Sequence, residues 1–170
     1  MLYTSAEANK LLRQLQEERF SLEQKEGMSD TFVAATIENP EDVKPEYDFE
    51  NMQSELKETD RKIRMVKHAI NMFNMTHMIP EFDNMTIDEM LVYLPQLKKQ
   101  KEKLNKMCNK LPKSRKSKMY GEKSNFIEYE YANYDIDLAK KYFNDVSEKL
   151  SNAQLALDKI NAAETMEINI

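Results

Sequence analysis

Apolar residues recur along this chain at alternating spacings of three and four. Phe49, Met52, Leu56, Thr59, Ile63, Val66, Ile70, Phe73 and His77 form one such series, and Ile87, Met90, Leu94, Leu97, Lys101, Leu104, Cys108 and Leu111 a second. Heptad spacing keeps one narrow stripe of a helix turned towards a partner. It predicts two long helices, at about 48–78 and 86–111, on either side of the turn Ile79-Pro80-Glu81-Phe82-Asp83-Asn84-Met85. With the chain reversing at Phe82, the two stripes would face each other as an antiparallel hairpin. A third stripe, Ala139, Phe143, Val146, Leu150, Ala153, Leu157 and Ile160, predicts a helix over about 135–166, capped by Asp135. A looser set at Ala8, Leu11, Leu12, Leu15 and Leu22 predicts a first helix at about 5–26, capped by Thr4 or Ser5 and stopped by Gly27.

Local signals refine the ends of these helices. Pro80 disfavours helical geometry in the residue before it, and Thr86 with Glu89 fits a capping box in front of Ile87. Pro112 ends that helix, and Pro95 inside it predicts a kink near Leu91 rather than a break. Two stretches read as strands. Thr31 to Ile37 is rich in β-branched residues, and Asn125 to Tyr131 alternates apolar and acidic side chains. Because a lone strand leaves backbone groups unpaired, the two are expected to form one small ribbon. Pro40 and Pro45 make the segment after the first strand a loop.

The fold class that follows is mostly α: four helices in antiparallel coiled-coil hairpins with a two-stranded β-ribbon, as a single elongated domain over 1–170. Two glycines, no tryptophan and a charged fraction of 32% suit long helices with short connections. The formal net charge of −5 disfavours general attraction to polyanions. The lone Cys108 sits on an apolar stripe and excludes an internal disulfide. There is no apolar run long enough to span a bilayer and no basic-then-apolar leader after Met1, so a cytoplasmic protein is expected.

Charge is unevenly spread. Acids from Glu38 to Asp60 load the start of the second helix, where the helix dipole favours them. Lys98, Lys99, Lys101, Lys103, Lys106 and Lys110 line the third helix, followed by Lys113, Arg115, Lys116, Lys118 and Lys123. In an antiparallel hairpin Asp60 would lie near Leu104 and Glu55 near Asn109, so acidic and basic ends would flank one seam and set its orientation. The overhang Lys113, Arg115, Lys116, Lys118 and Lys123 remains as a candidate anion or nucleic-acid contact, with Tyr120 and Phe126 as stacking partners.

Other chemistry is sparse. His68 and His77 are nine residues apart, which does not place them on one helix face as metal ligands. The methionines around them read as packing. With glycines only at 27 and 121 there is no phosphate-cradling loop. No catalytic residue, cofactor or metal site is assigned. Leu138, Tyr142 and Leu155 fall off the last stripe and leave apolar surface to cover, which predicts a homo-oligomer, most simply a dimer.

Ile70-Asn71 with Asn74 and Thr76, the run Thr86-Ile87-Asp88-Glu89-Met90-Leu91, and Leu157-Asp158-Lys159-Ile160-Asn161 together resemble a small bacterial family labelled septicolysin-like. The resemblance spans most of the chain, and the basic Lys113 to Lys123 segment departs from the pattern. The label implies a membrane-active toxin. The residues themselves point to a non-enzymatic interaction protein, with nucleic-acid binding as the alternative.

Overall fold

The structure, a computed structural model, describes residues 1–116 and 127–170. It is predominantly helical, with short two-stranded antiparallel sheets. The chain divides into two compact units, one made of 1–77 with 159–170 and the other of 78–158.

The first unit is organised around α1 (Ser5–Ser29) and α3 (Phe49–Thr76). Arg19 on α1 bonds Asp60 on α3, and Glu26 on α1 bonds Gln53 on α3. Seven residues forward on one helix is therefore seven back on the other, which defines an antiparallel pair. Ala8, Leu15 and Leu22 are buried from one side, and Thr59, Val66, Ile70 and Phe73 from the other. A short strand β1 (Leu2–Thr4) pairs with β6 (Thr165–Glu167) in the register Leu2 to Glu167 and Thr4 to Thr165, burying Met166.

Thr4 ends β1 and caps α1. Its hydroxyl accepts from the Glu7 N–H, while its own N–H donates to the Glu7 carboxylate at 2.8 Å. Asp48 caps α3 by accepting from the Asn51 N–H at 3.0 Å. At the other end of α3 the His77 ring stacks on Phe73 with centroids 3.9 Å apart, and its Nδ1 lies 2.9 Å from the Phe73 carbonyl. His77 thus serves as a helix terminator.

Several sequence-based expectations are corrected here. Gly27 does not stop α1, which continues to Ser29. Thr31 to Ile37 forms no strand. It runs into a turn in which Ala35 and Glu38 bond each other, and Val33 and Ile37 are exposed, since β-branched residues without a partner edge have no ladder to join. The presumed loop at Pro40 contains the short helix α2 (Pro40–Val43), capped by Asn39 with proline in its first turn, where the missing N–H costs nothing. Asp60 forms an ion pair with Arg19 of α1.

The second unit starts with a hairpin. β2 (Met78–Ile79) pairs with β3 (Met85–Thr86), and the link contains a 3-10 turn at Pro80–Phe82. Asp83 and Asn84 then adopt left-handed conformations at φ 50° and 55°, which these residue types tolerate best after glycine. Thr86 closes the ladder against Met78 and caps α4 (Ile87–Cys108) through a full capping box with Glu89.

Helix α4 runs through Pro95 unbroken. With α5 (Ile136–Ala163) it supplies most of the unit's buried side chains: Ile87, Met90 and Leu97 from α4, and Ala139, Val146, Ala153 and Leu157 from α5. Every position of the two predicted stripes from Ile87 to Cys108 and from Ala139 to Ile160 is buried or half-buried. Leu111 lies beyond the helix end and is exposed. The ribbon of this unit joins β4 (Lys113–Arg115) to β5 (Tyr129–Tyr131), so residues 129–131 pair with a near neighbour in sequence rather than with 31–37. Closing the shorter loop costs less chain entropy.

Candidate interaction surfaces

The β4–β5 ribbon gathers the predicted contact residues that can be described. Its register sets Lys113 opposite Tyr131, Ser114 opposite Glu130, and Arg115 opposite Tyr129. The ladder continues at both ends, with the Lys116 N–H donating to the Glu128 carbonyl at 2.9 Å and the Ala132 N–H to the Pro112 carbonyl at 3.1 Å. Tyr134 ties the base of the ribbon to α4 by donating its hydroxyl to the Met107 carbonyl at 2.8 Å. That carbonyl belongs to the last helical turn, where carbonyls lack an intrahelical donor.

Strand alternation sends neighbouring side chains to opposite faces, and here it sorts the charges. On one face Lys116 bonds Glu128 at 3.0 Å and Lys110 bonds Glu130 at 2.9 Å. The carboxylate of Glu130 raises the affinity of Lys110 for its proton above the ordinary lysine range. Ser114, Glu130 and Ala132 on this face, with Lys110 and Leu111, enclose a small pocket of about 240 Å³. The other face carries Lys113, Arg115, Tyr129 and Tyr131. Lys113 Nζ lies 4.2 Å from the Tyr129 ring centre and 5.4 Å from that of Tyr131, while the two residues remain 47% and 61% exposed.

Of the five predicted contacts, Lys113 and Arg115 therefore share a face, and Lys116 is on the opposite one in an ion pair. Lys118 and Lys123 lie outside the described residues, as do Tyr120 and Phe126. Tyr129 and Tyr131 belong to the surface although the alternating pattern predicts them to be its buried side. Glu128 and Glu130, which alternate with them, are in solvent as expected and also pair with Lys116 and Lys110. The signal that could have located this face is the matching alternation of Lys-x-Arg with Tyr-x-Tyr, which acquires meaning only once the two strands are paired.

The basic series on α4 behaves differently. Lys98 and Lys101 border a cleft of about 690 Å³ between α4 and α5, floored by Leu94, Pro95, Phe143 and Leu150. Lys101 Nζ lies 5.8 Å over the Phe143 ring. Among the described residues, no group of three or more His, Cys, Asp or Glu side chains is arranged to hold a metal ion. No helix among them is long and apolar enough to cross a membrane.

No protein-family model matches the chain, and no curated protein matches it in sequence. In three dimensions it is similar to the crystal structure of a functionally unknown conserved protein from Corynebacterium diphtheriae. The two align with a TM-score of 0.59 and 16% identity over 98% of this chain and 100% of the other. At that identity the likeness speaks to the fold alone.

Proposed function

We propose that this chain is a non-enzymatic interaction protein that self-associates through the outer face of α5. The supporting observation is the second apolar set on that helix. Its stripe from Ala139 to Leu157 is buried or half-buried, yet Leu138, Tyr142 and Leu155 are 51%, 54% and 57% exposed. Leu138 and Tyr142 are one turn apart on the same side of the helix, so they make a continuous patch. Scattered apolar residues on a surface need no explanation, but a paired leucine and tyrosine on a long helix suit an isologous contact, in which two copies offer each other the same face. Tyrosine is among the residues enriched in such contacts.

Light scattering with sedimentation equilibrium over a range of protein concentrations tests the reading. The expected result is a dimer mass for the natural chain and a shift towards monomer for Leu138→Glu with Tyr142→Glu, at unchanged helical content. A monomer mass at every concentration overturns it.

A further inference from the structure

We propose that the Lys113, Arg115, Tyr129 and Tyr131 face of the β4–β5 ribbon binds single-stranded nucleic acid. This goes beyond self-association and does not depend on it. The ribbon divides the four described cations around it into a paired set and a set without a carboxylate on its face. Lys116 and Lys110 are matched by Glu128 and Glu130, whereas Lys113 and Arg115 stand among aromatic rings with no carboxylate on their side of the described ladder. The neutralised face already ties the ribbon together, and Tyr134 anchors it to α4. Structural need therefore does not account for two tyrosines left about half in water on the other side.

Exposed rings on a strand surface offer π-faces to unstacked bases, and neighbouring cations take the phosphates. The combination selects a single strand over a duplex, whose base faces are covered by their neighbours. It also selects a nucleic acid over an acidic peptide, which would use the two cations but leave the rings idle. The overall charge of −5 repels polyanions at a distance, so binding is local and dependent on salt.

The test is fluorescence anisotropy of the 170-residue chain with a labelled short oligothymidylate, its RNA counterpart and a duplex of equal length. Binding of either single strand is expected to be at least about tenfold tighter than binding of the duplex, as stacking on two rings implies. The logarithmic salt dependence should be about −1.4, corresponding to two phosphate contacts on a single strand. Tyr129→Leu with Tyr131→Leu is expected to weaken binding about tenfold or more without changing that slope. Lys113→Gln or Arg115→Gln should flatten it by about 0.7 each. Lys99→Gln, an exposed change on α4, is the control for general charge. Circular dichroism keeps loss of fold separate from loss of binding.

No binding of either single strand at low salt overturns the proposal. So does equal affinity for the duplex, or tyrosine variants that bind as the natural chain does. Displacement of the oligonucleotide by polyglutamate at equal charge concentration likewise overturns it, in favour of an acidic protein partner. The Leu138→Glu, Tyr142→Glu variant is carried in parallel, so that failure of self-association is scored separately.

Discussion

The two units open with the same device and then use their charges differently. In each, a short strand ends in a threonine that caps the following helix, with a glutamate three residues on closing the box: Thr4 with Glu7, and Thr86 with Glu89. In the first unit charged residues then serve the helix pair. Arg19 bridges from α1 to Asp60, and Glu26 accepts from Gln53 and from the Tyr47 hydroxyl. In the second unit the ribbon sorts charge by face, cancelling it on one side and leaving Lys113 and Arg115 with two tyrosines on the other. Similar residue types are thus absorbed by architecture in one place and offered to solvent in another. What separates the two outcomes is whether an opposite charge lies on the same face, not how many charges a segment contains.

If packing dominates the first unit, truncating its seam has the largest effect. Phe73→Ala removes a 3% exposed ring and should cost about 3–5 kcal/mol in urea unfolding. A loss below about 1 kcal/mol would mean that the seam does not carry the unit.

The shared caps come next. Thr86→Ala should destabilise by about 1 kcal/mol. The carboxyls of Glu7 and Glu89 are held below their ordinary range by the threonine N–H first and the threonine hydroxyl second. A depressed carboxyl stabilises the fold above its unfolded pKa of about 4.3 and loses that contribution as pH falls through its lower folded value. The stability gap between the natural chain and Glu89→Gln should therefore be constant near neutrality and shrink below about pH 4.3. A gap independent of pH would remove the charge from the account.

Gly27→Ala should stabilise α1 by about 0.5–1 kcal/mol. The position is helical, and an added Cβ there meets nothing within 4 Å. A double-mutant cycle on Arg19 and Asp60 should return a coupling of only about 0.2–1 kcal/mol, because both side chains are more than a third exposed. At the bottom of the scale, Arg115→Gln should leave stability within about 0.5 kcal/mol. That near-zero value is the sharpest contrast with the first unit, since a larger loss would make Arg115 a structural residue.

Periodicity carried most of the fold. The stripes on α3, α4 and α5 are buried or half-buried almost throughout, with Phe49 and Leu111 exposed at or beyond the helix ends. The capping box of Thr86 and Glu89 was legible in full, and the cap of α1 was legible as Thr4 or Ser5, because a cap is a local arrangement of backbone donors and one or two side chains. The importance of α1 was harder to read. Its stripe also follows the heptad, but Arg19 and Glu26 occupy steps of it, so its apolar rhythm looks broken until Asp60, Gln53 and Tyr47 supply their partners.

What the sequence by itself determined is whatever depends on neighbours within about a turn: helices, caps and the polarity of each face. Partnership was decided only by the tertiary structure. α3 takes α1 across its seam, 129–131 joins 113–115 rather than 31–37, and Glu128 and Glu130, still largely in solvent, each acquire a lysine partner. The physical reason is that a heptad stripe or an alternating strand states which side needs covering without saying what covers it. The same holds for the ribbon. Lys-x-Arg and Tyr-x-Tyr were each visible along the chain, but only the register of β4 against β5 made them one surface.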